Sequence, residues 1–171
     1  MRLRDVEAVV RALNGAEVKY LIVGGLAVMA HGYMRLTIDI DLVVKLERDN
    51  VLRAMEALRN VGYRPAVPVP AEQFADDNVR ESWRREKNML VFQMYNPDPE
   101  STKLDLFITE PFDFEEEYAA AEWLDVAGIA SPVLRLTTLI KMKKEAGRPK
   151  DLGDAGELEH LLEIQREEFD D

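Results

Sequence analysis

The stretch from Val23 to Leu42, VGGLAVMAHGYMRLTIDIDL, constrains this chain more than any other. Thr37 to Val44 reads as a strand. Alternate side chains of a strand share a face, so Ile38, Ile40 and Leu42 point one way while Thr37, Asp39 and Asp41 point the other. Two carboxylates are thereby held side by side, and a bound cation is the natural compensation for their repulsion. Upstream, the apolar run Tyr20 to Val23 reads as a buried strand that enters a tight turn at Gly24-Gly25 and then a helix, Leu26 to His31, closed by Gly32. Bare backbone N–H groups at such a turn can cradle a phosphate. Taken singly, a glycine pair is a steric need of a turn and an Asp-x-Asp is a wet strand face. Together they place an anion cradle beside a metal site.

The chain has 171 residues, which fits one domain, 1–171, with room for a core. Hydrophobic residues make up 47% and charged residues 32%, the mix of a globular protein and not of a disordered one. The absence of cysteine removes disulfides, thiolate nucleophiles and sulfur-ligated zinc, and fits a reducing cytoplasm. The first residues interleave charge with apolar positions, and no apolar run reaches membrane-spanning length, so neither a membrane nor a secretory segment is expected. A net charge of −11 repels polyanions unless basic residues are gathered locally. With two histidines, His31 and His160, metal chemistry must run on carboxylates, which favours magnesium or manganese.

Apolar spacing gives a first helix through Val6, Val9, Val10 and Leu13, ended by Asn14-Gly15. Another helix runs from Glu47 to Val61, stopped by Gly62. The order α-β-α-β-α predicts a mixed α/β domain. Further strands are expected at Met89 to Tyr95 and Lys103 to Ile108, and a short one near Gly128 to Ala130. Pro65 to Asn78, with three prolines, reads as a loop or active-site flap. The C-terminal helices start at about Thr137, the first running to Ala146 before Gly147 and Pro149, the last from about Asp151. The tail from Glu157, with seven acidic residues and one arginine, reads as a solvated face.

An apolar residue, Gly-Gly, an interval of thirteen residues and Asp-apolar-Asp-apolar resembles the signature of the polymerase-beta-like nucleotidyltransferase superfamily. It stands here as Val23-Gly24-Gly25 followed by Asp39-Ile40-Asp41-Leu42. The fuller string, with Ala30-His31-Gly32, Arg35 and Thr37, resembles the minimal prokaryotic branch that includes AbiEii-type toxins. The resemblance implies a short mixed sheet flanked by helices, two magnesium or manganese ions, and transfer of a nucleoside monophosphate from a nucleoside triphosphate to a hydroxyl on a protein or tRNA. It also implies a third acidic residue on a later strand. Asp105, alternating with Leu104 and Leu106, supplies one. Asp39, Asp41 and Asp105 are thus the expected catalytic residues and metal ligands, with Asp105 also helping to take the acceptor's proton.

Gly24 and Gly25 are expected to line the nucleotide phosphates. Helical spacing puts Lys141, Lys144 and Arg148 on one face, opposite Leu136, Leu139 and Ile140. Such cations, with Asp151 and Asp154 at the next helix start, also suit helix ends. In the context of the resemblance, Lys141 becomes the expected triphosphate ligand, with Lys144 beside it. Arg35 either reaches a phosphate or neutralises the nearby acids. His31 reads as a helix C-cap. Trp83 among Arg80, Arg84, Arg85 and Lys87 reads as a salt-bridged surface helix in preference to a base-stacking platform. The leading expectation is an enzyme, in a setting that includes a toxin–antitoxin pair with a cognate partner. The alternatives are a catalytically silent nucleotide-binding antitoxin or regulator of the same fold, and a toxin acting on tRNA.

Overall fold

The structure, a computed structural model, describes residues 1–170. Asp171, the last of the seven acidic tail residues, lies outside them. In chain order the elements are α1 (Leu3–Gly15), β1 (Tyr20–Val23), α2 (Gly24–Ala30), β2 (Ile40–Val44), α3 (Arg48–Asn60), β3 (Arg64–Pro65), a 3-10 turn (Ala71–Ala75), α4 (Asp77–Lys87), β4 (Val91–Tyr95), β5 (Leu104–Phe107), α5 (Phe114–Ala119), β6 (Glu122–Val126), β7 (Ile129–Val133), α6 (Leu136–Ala146) and α7 (Pro149–Asp170). The strands form one seven-stranded mixed sheet in the order β3-β4-β5-β2-β1-β7-β6. β2 runs antiparallel to β1 and parallel to β5, and β1 runs parallel to β7.

All four β1 residues are buried, so both faces of the central sheet are covered, as an uninterrupted apolar strand demands. α1 turns Val6, Val9, Val10 and Leu13 inward and packs on α3 and the β6–β7 pair. α2 packs on β1, β2 and α6, while α6 and α7 pair with one another. Among the described residues no helix is long and apolar enough to cross a membrane.

Four differences from the sequence reading have local causes. β2 starts at Ile40, where Ile40 N–H bonds the Lys103 carbonyl at 2.9 Å; Thr37 to Asp39 precede the sheet, and Ile38 is 78% exposed. Ile38 keeps the parity of Ile40 and Leu42, but nothing covers that side of the chain before β2. Pro65 to Asn78 is not a free flap. Phe74, in its 3-10 turn, is buried and stacks on Phe92 at 5.1 Å, and Asp76 caps α4 through the Asn78 and Val79 amides. The residues near Gly128 belong to a hairpin, β6–β7, turning through Ala127 and Gly128 at φ of 54° and 84°. Such a two-residue turn matches strand twist; Ala-Gly carries a weaker signal than Asn-Gly. Finally, α5 is a helix that the apolar spacing does not predict: it has six residues and is capped by Asp113, whose carboxylate accepts the Glu116 amide.

Trp83 is buried and stacks on Phe92 at 5.4 Å, and Arg80 is buried against the Phe74 carbonyl at 2.5 Å. Arg84 pairs with Glu81. This is the salt-bridged helix expected, anchored by its tryptophan and offering no platform for a base.

Candidate active site

Parallel pairing of β2 with β5 sets Asp41 directly beside Asp105, and antiparallel pairing of β5 with β4 sets Gln93 on the other side of Asp105. A single row therefore crosses the sheet from Gln93 through Asp105 and Asp41 to Val23, the partner of Asp41 on β1. Gln93 Nε2 donates to Asp105 Oδ1 at 3.1 Å. Asp39 lies in the bend just before β2. Burial raises the Asp41 pKa to about 7, the Asp105 and Asp39 charges add to the rise, and Lys143 and Lys150 offset part of it. Burial also raises Asp105, with Asp39 adding to the rise and the Gln93 bond opposing it. Burial, and after it the charge of the neighbouring acids, favours the protonated carboxyls here more than at exposed aspartates.

Among the described residues no three acidic or histidine side chains gather closely enough to form a ready ion centre. The sequence expectation of full convergence is met only in the backbone register. Asp39 stands outside the strand, and Asp105 is turned to Gln93. The donor set itself fits a hard divalent cation: carboxylate oxygens with no softer ligand beside them.

The glycine turn packs against these acids. Gly24 has φ +65°, and a Cβ there would overlap the Asp41 carboxylate. A Cβ on Gly25 would overlap the Thr37 side chain, with the Arg35 guanidinium carbon at 3.7 Å. The space that a side chain at Gly25 would need is filled by Thr37.

Cations approach from α6 and α7. Lys143 is buried, its ammonium 2.9 Å from Asp154 and 3.4 Å from Asp151, both themselves buried. Arg35 pairs with the same Asp154. Arg148 pairs with Asp151 at 2.5 Å; burial pushes the Asp151 carboxyl up, but Arg148 and Lys143 hold it below its ordinary range. Of the two readings for Arg35, neutralising a nearby acid is the one the structure displays, though the acid is Asp154 and not the Asp-x-Asp pair.

Lys141 and Lys144 are not brought to the carboxylates. Lys141 is exposed and faces Glu145 at 4.0 Å, and Lys144 pairs with Glu159. The residue that sequence reasoning missed is Lys143. It shares the helix face of Leu136, Leu139 and Ile140, all buried, and a lysine on an apolar stripe is the signal that marks it. His31 caps α2 as expected, and its Nε2 donates to the Leu134 carbonyl at 2.8 Å.

No known protein family's profile matches this chain, and no curated protein sequence does. Solved structures do match. The crystal structure of ANT(2'')-Ia in complex with adenylyl-2''-tobramycin is similar with a TM-score of 0.59 at 15% identity, over 98% of each chain. The solution structure of the antibiotic-resistance factor ANT(2'')-Ia gives 0.58 at 15% identity, over 98% of this chain and 92% of that one. The chain has the nucleotidyltransferase fold. The mixed sheet, with its acidic row and the glycine turn beside it, is arranged within that fold over nearly its whole length.

Proposed function

We propose that this protein is a divalent-metal-dependent nucleotidyltransferase that moves a nucleoside monophosphate from a nucleoside triphosphate to an acceptor hydroxyl. The observation that carries the reading is the register pair Asp41 and Asp105 with Asp39 close by, faced by Lys143 and Lys150. Support comes from the fold neighbour bound to adenylyl-2''-tobramycin, a hydroxyl compound carrying a nucleoside monophosphate.

Asp39, Asp41 and Asp105 would hold magnesium or manganese. When bound, such ions neutralise the triphosphate, acidify the acceptor hydroxyl and stabilise the departing pyrophosphate. This chain's residues do the rest. Lys143, fixed by Asp151 and Asp154, presents a charge toward the triphosphate in the role expected of Lys141. Arg35, bridged to Asp154, adds a second charge over the glycine turn. Asp105 accepts the proton as the hydroxyl oxygen bonds the α-phosphorus, and the bond from that phosphorus to pyrophosphate breaks. Gln93 orients Asp105 and leaves its other oxygen for the acceptor. The motif's resemblance to AbiEii-type proteins extends the proposal to a cytoplasmic toxin–antitoxin setting, with protein or RNA as acceptor.

The test is equilibrium binding of four labelled nucleoside triphosphates with and without magnesium, followed by transfer to a cell lysate. Expected is magnesium-dependent binding and a labelled product, both lost in Asp41→Asn. Equal binding in Asp41→Asn and wild type overturns the assignment of the metal site.

A further inference from the structure

Residues 34 to 39 form an extended strap that leads into β2, and its side chains alternate. Arg35, Thr37 and Asp39 are partly shielded and face the site: Arg35 on Asp154, Thr37 on Gly25. Met34, Leu36 and Ile38 point outward and are 77%, 95% and 78% exposed. Among the described residues, none of the backbone N–H groups of 34 to 39 is hydrogen-bonded. This segment before β2 leaves its period-two apolar face and its backbone N–H groups unpartnered, while the Leu36 carbonyl accepts from Arg35 Nε at 3.1 Å and the Asp39 carbonyl from Thr37 Oγ1 at 3.5 Å.

The same strap borders an opening. β2 and β5 pair from Ile40 and Leu104 onward, and before that point the two chains diverge around a cleft of about 360 Å³. Ile38 and Asp39 line one side, Ser101 and Lys103 the other, and Gln93 lies at its wall. Gln93 is the residue bonded to Asp105, so the cleft wall stands one hydrogen bond from the proposed proton acceptor.

Resting on the proposed nucleotidyl transfer, we infer that the acceptor is a polypeptide. An extended segment of it lies along the strap, offers its carbonyls to the free backbone N–H groups, packs alternate apolar side chains on Met34, Leu36 and Ile38, and puts a serine, threonine or tyrosine hydroxyl into the cleft. Only a polypeptide offers alternating N–H and C=O groups at strand spacing together with side chains on a two-residue repeat. The cleft has room for a side chain, and the net charge of −11 of the chain as a whole disfavours a polyanion as partner. In the transfer, the side-chain oxygen bonds the α-phosphorus, its proton passes to Asp105 and pyrophosphate leaves, so the product is a nucleotidylated protein.

The experiment labels a cell lysate with α-labelled nucleoside triphosphates, magnesium and either wild type or Leu36→Glu, then divides the product by protease, ribonuclease and size. Leu36 makes no packing contact that folding needs, and a second variant, Met34→Gln, repeats the test with a neutral change. Expected is protease-sensitive label, falling about tenfold in Leu36→Glu, with nucleotide binding by both variants within about twofold of wild type. Ribonuclease-sensitive or small-molecule label overturns the polypeptide acceptor, as does protein label that Leu36→Glu leaves unchanged. If wild type binds no triphosphate, the underlying transferase reading fails instead, which the binding measurement registers separately.

Discussion

Asp41 and Asp105 stand side by side in register on the parallel strands β2 and β5, two acids from distant parts of the chain held at neighbouring Cα positions by backbone hydrogen bonds. Strand pairing, not side-chain attraction, sustains that proximity, and the folded state carries its electrostatic cost.

That cost sets a pH dependence. The folded pKa of Asp41 is raised to about 7 from an ordinary value of 3.8, so the folded state binds the proton more tightly than the unfolded chain. Its contribution to stability is full below the unfolded value and is lost as pH rises through about 7. Metal-free protein should therefore weaken between mildly acidic pH and pH 8. Asp41→Asn should reduce that slope, leaving the smaller part due to Asp105, and raise stability at pH 8 by on the order of 1–3 kcal/mol. Thermal melts in a chelator across this range check it; a flat profile in wild type contradicts it.

Lys143 and Lys141 should separate cleanly. Lys143→Ala leaves the buried Asp151 and Asp154 short of a partner and should cost about 3 kcal/mol, the scale for breaking a buried ion pair, along with triphosphate affinity. Lys141→Ala, at an exposed position, should stay within about 0.5 kcal/mol. Denaturant unfolding and nucleotide titration of both variants provide the comparison.

The glycine turn makes a steric prediction. Gly25→Ala drives a Cβ into the Thr37 side chain, so it should destabilise the protein, and adding Thr37→Gly should recover part of the loss. Gly24→Ala meets the Asp41 carboxylate and also bears the strain of φ +65°, so Thr37→Gly should not help it. A double-mutant cycle measured by chemical denaturation shows whether coupling is confined to the Gly25–Thr37 pair.

Gln93 should appear in a pH profile. Its amide donates to Asp105 and favours the charged carboxylate, so Gln93→Leu should raise the Asp105 pKa. The acidic limb of the transfer rate then moves to higher pH. An unmoved limb with lower rate throughout would mean that Gln93 contributes only packing.

Much of this was legible in the sequence because it rests on local patterns. The Asp39–Asp41 alternation, the Gly-Gly turn, the α/β order and Asp105 on its own strand follow from period and turn chemistry. What was not legible depends on partners distant in the chain. Nothing near Phe74 announces Phe92 as its stacking partner, so a proline-rich segment read as a loop is pinned to the core. The basic stripe was assigned by counting charges on a helix face, whereas the lysine that reaches the acids sits on the apolar face, where Asp151 and Asp154 of the next helix meet it. Parity places Ile38 on the face of Ile40 and Leu42, and only the sheet's end shows why it is bare.

The bridge from Arg35 to Asp154 joins residues 119 positions apart, and this fixes an order of assembly. Pairing of β1, β2 and β5 positions Asp41 and Asp105, whereas Lys143 comes near them only once the α6–α7 hairpin docks, and Arg35 finds its carboxylate at that same step. Long loops close slowly, so the acidic half of the site should exist before its cationic half during folding. A chain caught at that stage has a formed sheet and no hold on a triphosphate, and a bound nucleotide would act as the clasp that keeps the late-arriving hairpin in place.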